Sequence, residues 1–243
     1  MGKLFHRLLY RLLSLEGYLR VVSRLFFLNR WLGLGRTGRA LEYNYYLPQL
    51  VRRGDVAIDI GANLGYYTRP LADIVGAEGK VYAVEPVPVI FSVLERNVRG
   101  CKNVHLLNYA LGAEECDVEM ANDSVAEVGY FGTGRNFVSE GSLSRSAVRF
   151  TARMRRGSDL FGGLERIDFI KCDIEGYERV VMPELRPIIE RHHPTVLIET
   201  DGDTRHEIIK MFSEMGYQAY MLDAGREVAL DADSDKDIIF RFE

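Results

Sequence analysis

The stretch VAIDIGANLGYYT, Val56 to Thr68, decides how this chain folds. Val56–Ile60 is mostly apolar and reads as a short buried strand. Glycines and an asparagine follow, and Tyr66–Val75 then carries a helical pattern with Leu71, Ala72 and Val75 on one face. A strand that runs into a glycine turn and a helix start is the ligand corner of a doubly wound sheet. Glycines there let the backbone approach a ligand closely, and helix N–H groups favour an anion. Asp59 breaks that logic, because a carboxylate beside a phosphate repels it.

The pattern is Asp-x-Gly-x-Asn-x-Gly, with Asp59, Gly61, Asn63 and Gly65 at its fixed positions. The dinucleotide fingerprint needs three glycines around a pyrophosphate; here Asn63 stands at the middle one. A ligand with a cationic group and a small carboxylate fits this corner better. The amino-acid part of S-adenosylmethionine is such a ligand, its ammonium facing Asp59 and its carboxylate the helix start. Asp59, Gly61, Ala62, Asn63, Gly65 and Thr68 are therefore the candidate cofactor contacts of the turn.

Outward from the corner the chain alternates strand and helix. Lys80–Glu85, Val104–Asn108, Ile167–Cys172 and Thr195–Glu199 read as further strands. Helices are expected at Val89–Val98, Val180–Arg191 and Arg205–Met215, and late strands at Gln218–Leu222 and Asp237–Phe242. This is the pattern of an α/β chain with a doubly wound, mostly parallel sheet covered on both faces. Glu85 ends the second strand, where an acid accepts the ribose hydroxyls of an adenosine. Asn108 ends the third and either reaches an adenine edge or caps a turn. The fourth, IDFIKCDIEGYE, stops at Asp173 and Glu175, and the fifth stops at Glu199. Carboxylates clustered at strand ends suit proton abstraction or a divalent cation. Asp173 is thus a candidate for both cofactor binding and catalysis, with Glu175 and Glu199 beside it; Asp173 and Glu199 are the candidate Mg²⁺ ligands.

Composition sets the outer bounds. The chain has 243 residues, 47% hydrophobic and 27% charged, with a net charge of -4. That suits one α/β domain with additions and gives no sign of a nucleic-acid partner. Cys101, Cys116 and Cys172 are odd in number and widely spaced, which points to a reducing cytoplasm without a disulfide framework or structural zinc. Residues 1–40 form a basic extension. Lys3, Arg7 and Arg11 recur at helical spacing, and apolar residues such as Leu8 and Leu12 follow a helical pattern of their own. It reads as a helix that caps the core, or one that lies on the inner face of an anionic membrane or offers a basic patch to a partner. Its Arg-rich composition also resembles a transit peptide. The remaining 41–243 form the catalytic domain. Within it, 121–163 reads as a substrate-side insertion with extended structure near Val148–Met154. Its arginines, among them Arg135, Arg145, Arg149, Arg153 and Arg155, suggest an anionic acceptor.

Taken together, DIGANLGYYT, YAVEP, NYALG, IDFIKCDIEGYE and LIET resemble the FkbM family of S-adenosylmethionine-dependent methyltransferases over roughly residues 50–200. The run Lys171–Glu178 is the most distinctive mark. The resemblance implies a Rossmann-like class I methyltransferase fold with seven strands, the last antiparallel. It also implies cofactor binding by Asp59, Gly61, Asn63, Gly65 and Glu85, and methylation of a hydroxyl, commonly on a sugar, glycan or lipid-linked intermediate. Cys172 departs from the hydrophobic residue usual in that run. Two other readings stand beside it: a nicotinamide-dependent oxidoreductase, which Asp59 and Asn63 argue against, and a non-catalytic scaffold that keeps the cofactor pocket.

Overall fold

The computed structural model describes residues 2–35, 41–139, 147–231 and 234–243. The N-terminal extension holds α1 (Lys3–Leu12) and α2 (Leu15–Trp31), broken at Leu13–Ser14, where the Ser14 hydroxyl accepts from the Gly17 amide and caps α2. Next comes α3 (Glu42–Leu50). The sheet region then runs β1 (Val56–Ile60), α4 (Thr68–Val75), β2 (Lys80–Val84), α5 (Pro88–Val98) and β3 (Val104–Leu107). A second group follows: β4 (Ala110–Leu111), β5 (Cys116–Asn122), α6 (Ser124–Val128), β6 (Asn136–Val138), β7 (Val148–Arg155) and α7 (Gly157–Phe161). The chain returns to the main sheet with β8 (Phe169–Cys172), α8 (Glu178–His192), β9 (Thr195–Ile198), α9 (Gly202–Glu214), β10 (Tyr217–Asp223), β11 (Arg226–Ala229) and β12 (Ile238–Phe242).

The main sheet has the order β11-β10-β12-β9-β8-β1-β2-β3. The strands from β9 to β3 are parallel, and β12 inserts antiparallel between β9 and β10. The doubly wound α/β architecture and the antiparallel final strand are as expected. The sheet has eight strands rather than seven, because β10 turns back through Ala224 and Gly225, both at positive φ, to pair with β11. Apolar side chains pack on both faces. Ile58, Ile170, Val196 and Phe240 lie in one cluster, and Ala57, Phe169, Leu197 and Ile239 in the other.

The second sheet, β4-β7-β5-β6, occupies the region expected as an insertion. It begins at Ala110, so residue 121 falls inside β5 rather than at a boundary. Its arginines are spent locally. Arg149 bonds Glu119, Arg153 bonds Asp117 and Arg155 bonds Glu115, a ladder along β5 and β7 and the turn before them. Arg135 pairs with Glu127 and Asp123. Each of these four arginines thus has an acidic neighbour within the second sheet region. Arg145 lies outside the described residues.

Candidate active site

The site is built at the carboxyl ends of β1, β2 and β8. Gly61 turns the chain after β1 at φ 76°. A Cβ on Gly61 would lie 1.9 Å from the Asp173 carbonyl oxygen, so only glycine lets the two strand ends close together. Asn63 also sits at positive φ, which asparagine tolerates, and its side-chain Oδ1 accepts from the Leu64 amide at 2.8 Å.

Every amide from residue 61 to 65 is already bonded inside the protein. Gly61 and Ala62 donate to the Val84 carbonyl, Asn63 to Glu85 Oε2, Leu64 to Asn63 Oδ1 and Gly65 to the Ala62 carbonyl. The turn from 61 to 65 therefore offers no nest of free amides to a phosphate. What it presents instead is Glu85. This side chain is 5% exposed. Its two oxygens accept from the Asn63 and Val87 amides, both at 2.9 Å, and each keeps a second lone pair for a ligand. Burial pushes the Glu85 carboxyl up to about 7, while those two amides and Lys171 pull against it.

Asp59 does not reach the cleft. It is fully buried; its Oδ2 accepts from Thr68 Oγ1 at 2.6 Å, and its Oδ1 is buried without a hydrogen-bond partner. Its register partner on β8 is Lys171, whose ammonium lies 2.9 Å from Asp173 Oδ2. Full burial behind the cleft wall corrects the expectation that Asp59 meets a ligand ammonium directly; Lys171 stands beside it as a favourable charge. Thr68 is likewise a partner of Asp59 and not a wall of the cleft. Asn108 spends its amide on the carbonyls of Glu85 and Pro86, at 2.7 and 3.1 Å. It pins the end of β2, and the neighbouring Tyr109 lines the cleft in its place.

The cleft encloses about 610 Å³ including its open mouth. Ile60, Val84, Leu111 and Ile174 supply apolar walls, Glu85 and Asp173 carboxylates, and Thr133, Gly134 and Asn136 of the second sheet region close one side. Asp173 and Glu175 also line a second, adjacent cleft together with Glu178, Glu199, Thr200 and Asp201. Glu175 adopts φ 54°, followed by Gly176 at 86°. A non-glycine residue held there carries strain of the kind found at functional sites. Partial withdrawal from water, then Asp173, Glu199 and Glu178, push the Glu175 carboxyl upward against Arg135. Its place at the open rim keeps water on one side. Glu199 is also shifted upward, by burial of its carboxyl and by Asp173 and Asp237. Among the described residues, no three His, Cys, Asp or Glu side chains form a group able to hold a metal ion. The Mg²⁺ expectation at Asp173 and Glu199 therefore finds no ligand set.

Lys171 was absent from the candidates read from the sequence. The available signal was a lysine inside the buried strand of IDFIKCDI, where an unpaired cation would be costly.

A Rossmann-like sheet with an acid-lined cleft beyond its strand ends is the architecture of class I methyltransferases. Residues 59–219 match the Methyltransferase FkbM domain, and the chain belongs to that family. A protein-L-isoaspartate O-methyltransferase from Ignicoccus hospitalis is 31% identical over 80 residues, which cover 31% of this chain and 38% of that protein. The match thus spans well under half of that relative. The crystal structure of an FkbM methyltransferase from Methylobacillus flagellatus superposes with a TM-score of 0.52 at 15% identity. That alignment covers 80% of this chain and 45% of the other, and it shares the fold.

The lining of the cleft suits S-adenosylmethionine. Apolar walls suit an adenine, Glu85 keeps acceptor capacity for ribose hydroxyls, and the partly exposed Asp173 carboxylate suits an ammonium or sulfonium.

Proposed function

We propose that this chain transfers a methyl group from S-adenosylmethionine to a hydroxyl of a sugar, glycan or lipid-linked acceptor. The observation that carries the reading is the shared wall: Asp173 and Glu175 line both the cleft that holds Glu85 and the acidic cleft beside it. Bound in the first cleft, S-adenosylmethionine supplies an electrophilic methyl group. Glu85 holds the ribose, and Asp173, ion-paired with Lys171, faces the cationic end. The second cleft presents Glu199, Thr200 and Asp201 to an acceptor rich in hydroxyl donors. A hydroxyl must lose its proton as it attacks. Glu175 is the base in this reading, because its raised pKa and its position between the clefts suit proton uptake near neutral pH. Asp173, the first choice from sequence, is committed to Lys171 and serves to position and neutralise charge. Directing the acceptor oxygen at the methyl while excluding water supplies most of the rate.

The test is incubation with methyl-labelled S-adenosylmethionine and separated glycan, lipid and protein fractions. Label in the glycan or glycolipid fraction, stable to mild base, supports an ether product. Label confined to protein would overturn the acceptor class.

A further inference from the structure

We infer that α1 docks the protein onto an anionic lipid surface. One side of α1 is fixed to the body. The His6 ring stacks on Tyr130 with centroids 4.9 Å apart, its Nδ1 bonds the Tyr18 hydroxyl at 2.9 Å, and Arg7 Nε donates to the Val128 carbonyl at 2.7 Å. Leu9 and Tyr10 pack on the same side, against the cluster around Tyr18 and Phe131. These contacts set the rotation of the helix and leave another apolar stripe outside. Leu4, Leu8 and Leu12 follow one another at i, i+4 and i+8, and are 80%, 55% and 71% exposed. A helix whose only task was to cap the core would bury that stripe.

Charge says what covers it. Lys3, Arg7 and Arg11 form a parallel row one residue earlier, so the leucine stripe is flanked by cations, and α1 contains no acid. A leucine stripe edged by lysine and arginine is the pattern of a helix lying in the headgroup boundary. Trp31, the single tryptophan of the chain, is 79% exposed at the end of α2, and tryptophan favours the same interface. No helix among the described residues is long and apolar enough to cross a membrane, so the contact is with the surface. The segment that holds α1, Val128 to Phe131, leads directly into Thr133 and Gly134 of the cleft wall. Docking by α1 therefore links the lipid surface, through the helix, to the segment that leads into the cleft wall.

Because Trp31 is unique, its emission reports docking without a label. The full chain is mixed at low salt with vesicles of phosphatidylglycerol and phosphatidylcholine, and with phosphatidylcholine alone. Co-sedimentation and a blue shift of Trp31 are expected with the anionic vesicles only, and both should fade in high salt. Lys3→Glu with Arg11→Glu should weaken binding roughly fivefold or more per charge reversed. Leu4→Ser, Leu8→Ser and Leu12→Ser together should abolish co-sedimentation with the anionic vesicles while leaving circular dichroism unchanged, since all three side chains are exposed. Failure of the unmodified protein to bind anionic vesicles overturns the inference whatever the variants do. So does a dimer in solution that the triple serine variant dissolves, which would assign the stripe to a second copy of the chain.

Discussion

Lys171 stands between two acids: it is the register partner of Asp59 across β1 and β8, and its Nζ lies 2.9 Å from Asp173 Oδ2. The ammonium also lies over the Tyr67 ring, 5.1 Å from its centroid. One buried cation thus holds the two strand ends that form the floor of the cleft. Removing one partner of a buried ion pair leaves the other charge uncompensated. Lys171→Met should cost about 3–5 kcal/mol in urea unfolding. Adding Asp59→Asn should return part of that loss. A single Lys171→Met variant of unchanged stability would show that the pair is not a structural support.

Gly61 and Gly176 separate two reasons for needing glycine. Both lie at positive φ, but a Cβ on Gly61 meets the Asp173 carbonyl at 1.9 Å, whereas one on Gly176 meets nothing within 4 Å. Gly176→Ala should cost only about 1–2 kcal/mol, the penalty of left-handed backbone. Gly61→Ala should cost more, roughly 3 kcal/mol or above, since strand ends must separate as well. Equal losses in thermal unfolding would mean that the close approach has no energetic weight.

Glu85 predicts how stability follows pH. Its carboxyl is raised by burial to about 7, from an ordinary 4.5. Between these values the folded chain keeps a proton that the unfolded chain releases. Stability therefore falls as pH rises through that window, by about 3 kcal/mol at most for this group. Asp237, raised by burial to about 6, acts in the same direction. The free protein should melt at a higher temperature at pH 5 than at pH 8, and Glu85→Gln should flatten the slope. A melting temperature that climbs steadily from pH 5 to 8 would contradict the burial of this carboxyl.

Glu175 predicts a split between binding and turnover. It is exposed at the rim and belongs to the base chemistry of the proposed reaction, with no hydrogen bond to the turn around Glu85. Glu175→Gln should lower turnover by about 10²–10⁴-fold while leaving the dissociation constant for S-adenosylmethionine, measured by calorimetry, nearly unchanged. Full turnover in this variant would move the base elsewhere.

The legible and illegible parts of the molecule divide by how far apart their causes lie in the chain. β1, β2, β8 and β9 announce themselves because a strand buried on both faces must be a short apolar run, and Asp59, Gly61, Glu85 and Asp173 announce a ligand corner because they end such runs. The second sheet is harder to read. β7, VRFTARMR, is legible as extended structure near Val148–Met154, but β5, CDVEMAN, with acids on alternate residues, looks like a polar loop until the two are paired and Asp117 meets Arg153.

The sequence alone determined the class of fold and which strand ends carry acids, because local periodicity and punctuation are properties of neighbouring residues. Only the tertiary structure decided what each acid does. Asp59 reads as a ligand contact in DIGANLG, yet it is fully buried with Thr68 bonded to it and Lys171 beside it on β8; Glu85 lines the cleft and takes the ligand-facing position. A carboxylate's role depends on the charge nearest in space, and here that charge lies on a strand distant in the chain.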